Sequence, residues 1–426
     1  MAGLARGREL AWSAGYGGVD GAAPSADTQY RIGSITKTFT AVLMLRLRDE
    51  GLLRLDDPVD RHVAGTGVGD RTVGQLLGHA GGIQAETDGP WWERTPGGDW
   101  EALSPSLGTA AVRHPAGRRF HYSNLGFAVL GEVVARLRGM SWAQALTTEL
   151  LEPLGLSRTT LLPQHPAAAG LAVHPWADLV LPEPAHDAGA MAPAGQLWST
   201  AADLGRWAAF LLGDTGGLLA ADTVEEMRQP GTADTGRDAA AYGLGLQTFV
   251  VGQHSLAGHG GSMPGFLAQL LLDPTERTGV VVLANATSGL DPDLSFDLLR
   301  LARRLEPAPP QAWTPLAAAP DPAVLELLGP WYWGPVAYAI RLRGDGMLEL
   351  AALAGTGRRS RFRALADGGW MGLDGYFAGE VLRRVPGPDG VPSHLDIASF
   401  VFTRPPYDPA APIPGGVDPL GWSPQP

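Results

Sequence analysis

The chain has 426 residues, of which 45% are hydrophobic and 18% charged, and its 32 basic against 44 acidic side chains leave a net charge of −12. This globular composition excludes collagenous, disordered and membrane-spanning classes, and it argues against nucleic acid, whose phosphates require clustered cations. With no cysteine, thiol catalysis, disulfides and thiolate metal sites are excluded as well.

Met1 to Leu10 has two arginines and a glutamate but no apolar stretch of signal-peptide length, and no later run approaches the ~18 apolar residues of a membrane span. The expected location is cytoplasmic for the chain as given, or secreted if the true start lies upstream. Glu9 to Tyr16 alternates loosely and runs into Gly15, Gly17 and Gly18, which predicts an early strand and hairpin. From Ser34 to Glu50 the apolar residues Phe39, Val42, Leu43, Leu45 and Leu47 predict a long core helix that Gly51 can end. Further helices are predicted at 72–77, 124–137, 141–150, 201–212 and 294–305, with the Ser199/Thr200 pair ahead of Asp203 as a cap. Two short apolar runs at 267–272 and 279–283, split by Asp273 and Pro274, predict paired buried strands.

Residues 306–322 carry six prolines without periodicity and mark a linker. Beyond it, short segments at 337–343, 347–353, 360–365, 380–384 and 394–403 alternate with Gly/Asp/Pro turns, the pattern of a small all-β barrel. The expected organisation is a larger unit of mixed helices and strands at 1–305, the linker at 306–322, a barrel at 323–405 and an extended tail at 406–426.

Rare residues carry the chemistry. The only lysine, Lys37, follows Ser34 by three positions at the start of the core helix, one helical turn, so its ammonium and the Ser34 hydroxyl share a face. A serine hydroxyl becomes a useful nucleophile when a neighbouring base takes its proton, and a lysine in a dry pocket has its pKa lowered toward that role. One of only two asparagines, Asn124, stands two positions after Tyr122. The third segment, His259-Gly260-Gly261-Ser262, lies just ahead of the strand predicted at 267–272, where consecutive glycines let a backbone approach a substrate closely. No Gly-x-Ser-x-Gly and no His-Glu-x-x-His occurs, so neither an α/β-hydrolase nor a zinc protease is expected.

In this order, with Tyr30-Arg31-Ile32-Gly33, Asp56-Asp57-Pro58-Val59, Gln75-Leu76-Leu77-Gly78-His79 and Trp198-Ser199-Thr200 in support, the chain resembles the penicillin-recognising serine hydrolases over about residues 8 to 300. These include class C β-lactamases, DD-peptidases and their esterase and D-aminopeptidase relatives. The resemblance implies an α/β (α+β) fold, a β-lactamase-like antiparallel sheet flanked by helices, followed here by a lipocalin-like all-β barrel. It implies Ser34 as the acylated nucleophile and Lys37 with Tyr122 as the proton-transfer pair. Asn124 would orient lysine and substrate, the backbone N–H groups of Ser34 and Ser262 would form the oxyanion hole, and His259, Gly260 and Gly261 would line the substrate site. Trp91 and Trp92, in a Gly/Pro/Glu-rich loop, are read either as ordinary loop packing or as an aromatic wall of the cleft. No metal or other cofactor is expected, and the partner is a small-molecule or peptide-like acyl substrate.

Where β-lactamases usually have Lys-Thr-Gly, this chain has His259-Gly260-Gly261, so weak or no β-lactamase activity is expected. A penicillin-binding-protein-type thioesterase or peptide cyclase and a slowly deacylating penicillin-binding receptor stay open as alternatives. The family also has a helix and a further strand ahead of the segment like Arg8 to Tyr16, so the sheet is expected to lack an edge element unless the true start lies upstream.

Overall fold

The structure, a computed structural model, describes residues 1–406 apart from 20, 234–239, 253, 308–312, 314, 356 and 388–391. All but the first residue of the expected tail therefore lies outside the described residues, as does part of the proline-rich stretch. The chain forms two units, Met1–Ala308 and Pro309–Pro426.

Twelve strands are described in the first unit: β1 (Ala2–Arg6), β2 (Glu9–Ala14), β3 (Tyr30–Arg31), β4 (Leu171–Val173), β5 (Val180–Pro182), β6 (Trp198–Ser199), β7 (Thr232–Ala233), β8 (Ala240–Tyr242), β9 (Gln247–Val251), β10 (His254–Met263), β11 (Phe266–Asp273) and β12 (Thr278–Ala284). Eight of them make one antiparallel sheet in the order β2-β1-β12-β11-β10-β9-β8-β7, while β3 pairs with β6 and β4 with β5. The sheet has helices on both faces. Leu270, Leu272, Val281 and Leu283 belong to the large core with helices Thr36–Asp49 and Ala201–Leu211, whereas Leu271, Val280 and Val282 pack with Leu299 of helix Leu294–Leu305. Burial on both faces is why β11 and β12 read as continuous apolar runs rather than alternating ones.

The strand β1 corrects one expectation. It lies between β2 and β12, pairing Leu4 with Val280 and with Trp12, so a strand does precede Arg8 in the sheet. The hairpin is β1–β2, turning at Gly7 and Arg8 rather than in the glycines at 15–18, and β2 is the sheet edge. The sequence of β1, Ala-Gly-Leu-Ala-Arg, lacks β-branched or aromatic residues and carries little strand signal.

Helix Thr36–Asp49 is buried on nearly every side, as its apolar composition requires. Phe39 stacks on Trp207 with ring centroids 3.8 Å apart, and the Trp207 indole donates to Thr38 Oγ1 at 2.8 Å, which locks this helix to helix Ala201–Leu211. Thr200 caps the latter through the Asp203 N–H. The helix expected at 141–150 begins with a Ser141/Gln144 capping box and then widens into a π-helical turn at Thr147–Leu151.

In the second unit eight strands between Gly329 and Thr403 close, in chain order, into an antiparallel barrel, the lipocalin-like architecture expected. Its interior is filled by Trp331, Phe362, Phe377 and Phe402 among aliphatic side chains. The segment read as one strand at 394–403 is two, Pro392–Ile397 and Phe400–Thr403, because the chain turns at Ala398, which takes a positive φ of 54° without a glycine to announce it.

Candidate active site

Ser34 sits in a short 3-10 turn, Gly33–Ile35, that leads into helix Thr36–Asp49. One turn later Lys37 is fully buried, and its Nζ lies 2.9 Å from Ser34 Oγ, 2.6 Å from Asn124 Oδ1 and 2.6 Å from the Ala194 carbonyl. Burial lowers its pKa to about 7, against the opposing pull of Glu86 and Glu93. The two carbonyl oxygens can only accept hydrogen bonds, so once the ammonium loses a proton the remaining N–H bonds stay on Asn124 and Ala194 and the lone pair faces the Ser34 hydroxyl.

The segment Tyr122-Ser123-Asn124 places its outer members through a cap. Ser123 is the N-cap of helix Asn124–Arg138, its Oγ accepting from the Gly126 N–H at 2.9 Å and donating to the Gln84 carbonyl at 2.7 Å. Tyr122, just before the cap, lines the same cleft as Ser34 and has its ring under Lys37, 4.9 Å from Nζ to the centroid. Burial pushes its phenol well above its ordinary pKa, so it is neutral at pH 7.

On the opposite side β10 presses against the turn that holds Ser34. Gly33 lies at φ 52°, and a Cβ there would fall 2.6 Å from the Ser262 nitrogen; a Cβ on Gly261 would fall 2.0 Å from the Ile32 carbonyl oxygen. Both positions therefore require glycine. The Gly260 N–H leaves β10 on the side away from β11, toward Gln247 Oε1 at 3.1 Å, and the Ser262 N–H two residues on leaves on that same side, beside Ser34.

His259 is buried and neutral. Its Nδ1 donates to the Gly260 carbonyl at 2.6 Å and its Nε2 accepts from the Tyr242 hydroxyl at 2.8 Å. Burial, with Lys37 nearby, lowers its pKa to about 3, so it offers the site no positive charge.

Ser34, Tyr122, His259, Gly260, Gly261 and Ser262 line one cleft of about 550 Å³. Lys37 and Asn124 lie behind it. Trp91 and Trp92 are not among its lining residues. Trp92 is buried, with its indole N–H on Glu86 Oε2 at 2.7 Å, and the exposed Trp91 donates to Glu93 Oε2 at 3.1 Å. Sequence reading missed two residues here. Glu86 Oε1 accepts from Asn124 Nδ2 at 2.7 Å and so fixes which end of that amide faces Lys37, but no spacing marked it. The imidazole of His79 lies 4.1 Å from the Tyr122 ring and its Nδ1 accepts from the Ser123 N–H at 3.1 Å. Among the described residues no group of three or more His, Asp or Glu is arranged to hold a metal ion, and no helix is long and apolar enough to cross a membrane.

A β-lactamase family model matches residues 1–304, and a second model, described as a domain of unknown function, matches 320–404. Penicillin-binding protein 4 of Amycolatopsis lactamdurans is 31% identical over 305 residues, covering 66% of this chain and 77% of that protein. The octameric penicillin-binding protein homologue from Pyrococcus abyssi shares the fold over 95% of both chains, with a TM-score of 0.64 at 20% identity. A D-stereospecific amidohydrolase from Streptomyces sp. aligns over 72% of this chain and 93% of its own, with a TM-score of 0.59 at 26% identity. The chain belongs to the β-lactamase family of penicillin-recognising serine hydrolases. It spans 53% and 55% of the length of two further curated relatives that it matches.

Proposed function

We propose that the protein is a serine hydrolase that forms an acyl-enzyme on Ser34 with ester or peptide-like amide substrates and has little β-lactamase activity. The observation that carries this reading is the buried Lys37 Nζ 2.9 Å from Ser34 Oγ, with a pKa lowered to about 7. Neutral Lys37 takes the Ser34 proton as Oγ bonds to the carbonyl carbon. The N–H groups of Ser34 and Ser262 stabilise the oxyanion. As the bond to the leaving group breaks, that group takes a proton from the neutral Tyr122 phenol, which Lys37 restores. Water then repeats the steps in reverse and releases the acid.

The amidohydrolase likeness, and that to a D-amino acid amidase of Ochrobactrum anthropi, support amides alongside esters as substrates. The neutral His259, where β-lactamases carry a lysine, supports weak action on penicillins. The test is to quench turnover of a p-nitrophenyl ester in acid and map the acylated peptide by mass spectrometry. An adduct on Ser34 that is absent from Ser34→Ala, together with loss of turnover, is the expected result; full turnover by Ser34→Ala overturns it.

A further inference from the structure

The glycines of β10 differ in what they permit. A Cβ on Gly258 would fall 2.0 Å from the Leu270 carbonyl oxygen, and one on Gly261 2.0 Å from that of Ile32, so close backbone packing demands both. At Gly260 a Cβ meets nothing within 4 Å. Packing does not explain this glycine, and a side chain would stand in open space.

That space is part of the cleft that contains Ser34. β9 pairs with β10 only as far as Gly258, so among the described residues no strand neighbours the edge of β10 beyond it. The cleft passes from Ser34 across this edge, at Gly260, to the sheet face covered by helix Leu294–Leu305, where Phe249, Leu290 and Phe296 wall a trough. The rings of Phe249 and Phe296 meet edge to face with centroids 5.4 Å apart. The far wall is braced, since Gln269 donates to the carbonyls of Asp291 and Pro292 at 3.2 and 3.0 Å and accepts from the Ser295 N–H at 3.1 Å. Among the described residues no Arg, Lys, Asp or Glu lines the cleft. A charged group entering it would lose hydration with no ion to replace it, while an alkyl or aromatic group would be favoured.

We propose that this trough receives an apolar group of the substrate, an alkyl chain or ring joined to the ester or amide that Ser34 attacks, and that Gly260 is the opening through which it passes. The proposal rests on the reading of Ser34 as the nucleophile. The apolar group belongs to the acyl part or to the leaving group, and two substrate series separate these. One is p-nitrophenyl esters from acetate to decanoate; the other is alkyl acetates from methyl to octyl, followed by acid release.

In the unaltered protein one series is expected to gain about two- to fourfold in kcat/KM per methylene over several methylenes. Gly260→Val, whose side chain enters open space, and Phe296→Asp should each cut the octyl-to-methyl ratio, or octanoate-to-acetate ratio, by about tenfold or more. Circular dichroism melts establish that each variant is folded. Flat series in the unaltered protein, or an unchanged ratio in the folded variants, overturn the trough and leave Ser34 untouched. Should Ser34→Ala keep full activity, the nucleophile reading fails separately. 1-Octanol binding to Ser34→Ala by titration calorimetry then still decides the trough: binding weakened tenfold or more by adding Phe296→Asp supports it, and equal or absent binding overturns it.

Discussion

The Asn124 amide is held between two opposite demands, its Oδ1 accepting from Lys37 at 2.6 Å and its Nδ2 donating to Glu86 at 2.7 Å. Glu86 thereby orients the amide, and its charge also raises the Lys37 pKa against burial. In Glu86→Gln the charge is gone, so the Lys37 pKa falls and the acid limb of the pH–activity profile should move to lower pH, with kcat reduced about tenfold or less. A limb that stays in place or moves upward would show that Glu86 does not act on Lys37.

The unaltered enzyme should gain activity as pH rises through about 7, where Lys37 passes from ammonium to the free amine that faces Ser34. Lys37→Arg removes that limb along with most turnover, because a guanidinium keeps its proton. Measuring kcat/KM from pH 5 to 9 for both proteins checks this; an identical limb in Lys37→Arg rules out lysine as its source.

Lys37→Ala and Tyr122→Phe should each lower kcat by about 10²- to 10⁴-fold, the usual scale for loss of general acid–base catalysis. Because both groups serve one proton path to and from Ser34, the double variant should be hardly slower than the worse single one. Losses that multiply would mean that the two act in separate steps.

Nitrocefin hydrolysis should lie well below that of the best ester, since His259 is neutral and Gly260 offers no hydroxyl to a β-lactam carboxylate. A kcat/KM for nitrocefin above that of every ester and amide tried would contradict the proposed substrate class.

Acid stability follows from His259. Its folded pKa of about 3 lies below the ordinary 6.5, so between these values the unfolded chain binds a proton that the folded chain refuses. The contribution of His259 to stability is therefore complete above pH 6.5 and lost progressively toward pH 3. The buried His79, lowered for the same reason, adds to the slope. Lys37 has the same sign in another window, its burden being fully felt below about 7 and relieved as pH rises toward 10.5. Urea midpoints for His259→Gln should fall less between pH 6.5 and 4 than those of the unaltered protein.

The elements that could be read from the sequence are those whose local signals and burial agree. Helix Leu294–Leu305 and the strands β11 and β12 are long apolar or amphipathic runs with clear ends, and they stand where expected. β10 was harder, because a strand containing Gly258, Gly260 and Gly261 runs against strand propensity and is held by its neighbours on the sheet. Ser34, Lys37, Tyr122 and Asn124 were legible because lysine and asparagine are so scarce in this chain that their spacing stood out. Glu86 was not, for it is one of many carboxylates and acquires its part only through the fold. Trp91 and Trp92 stood out by type, but their indole groups turn to Glu93 and Glu86.

The eight strands of the second unit close around Trp331, Phe362, Phe377 and Phe402, each no more than 1% exposed. A hollow barrel works as a vessel, with its selectivity inscribed on inward-facing side chains. In this one the inward positions are given over to cohesion, so any recognition it performs falls to its outer surface, where the Arg358 guanidinium stands over the rings of Trp333, Tyr376 and Phe400. Outer strand positions and turns are thus free to diverge while the interior has to keep its volume, and this unit can acquire new partners without being refolded.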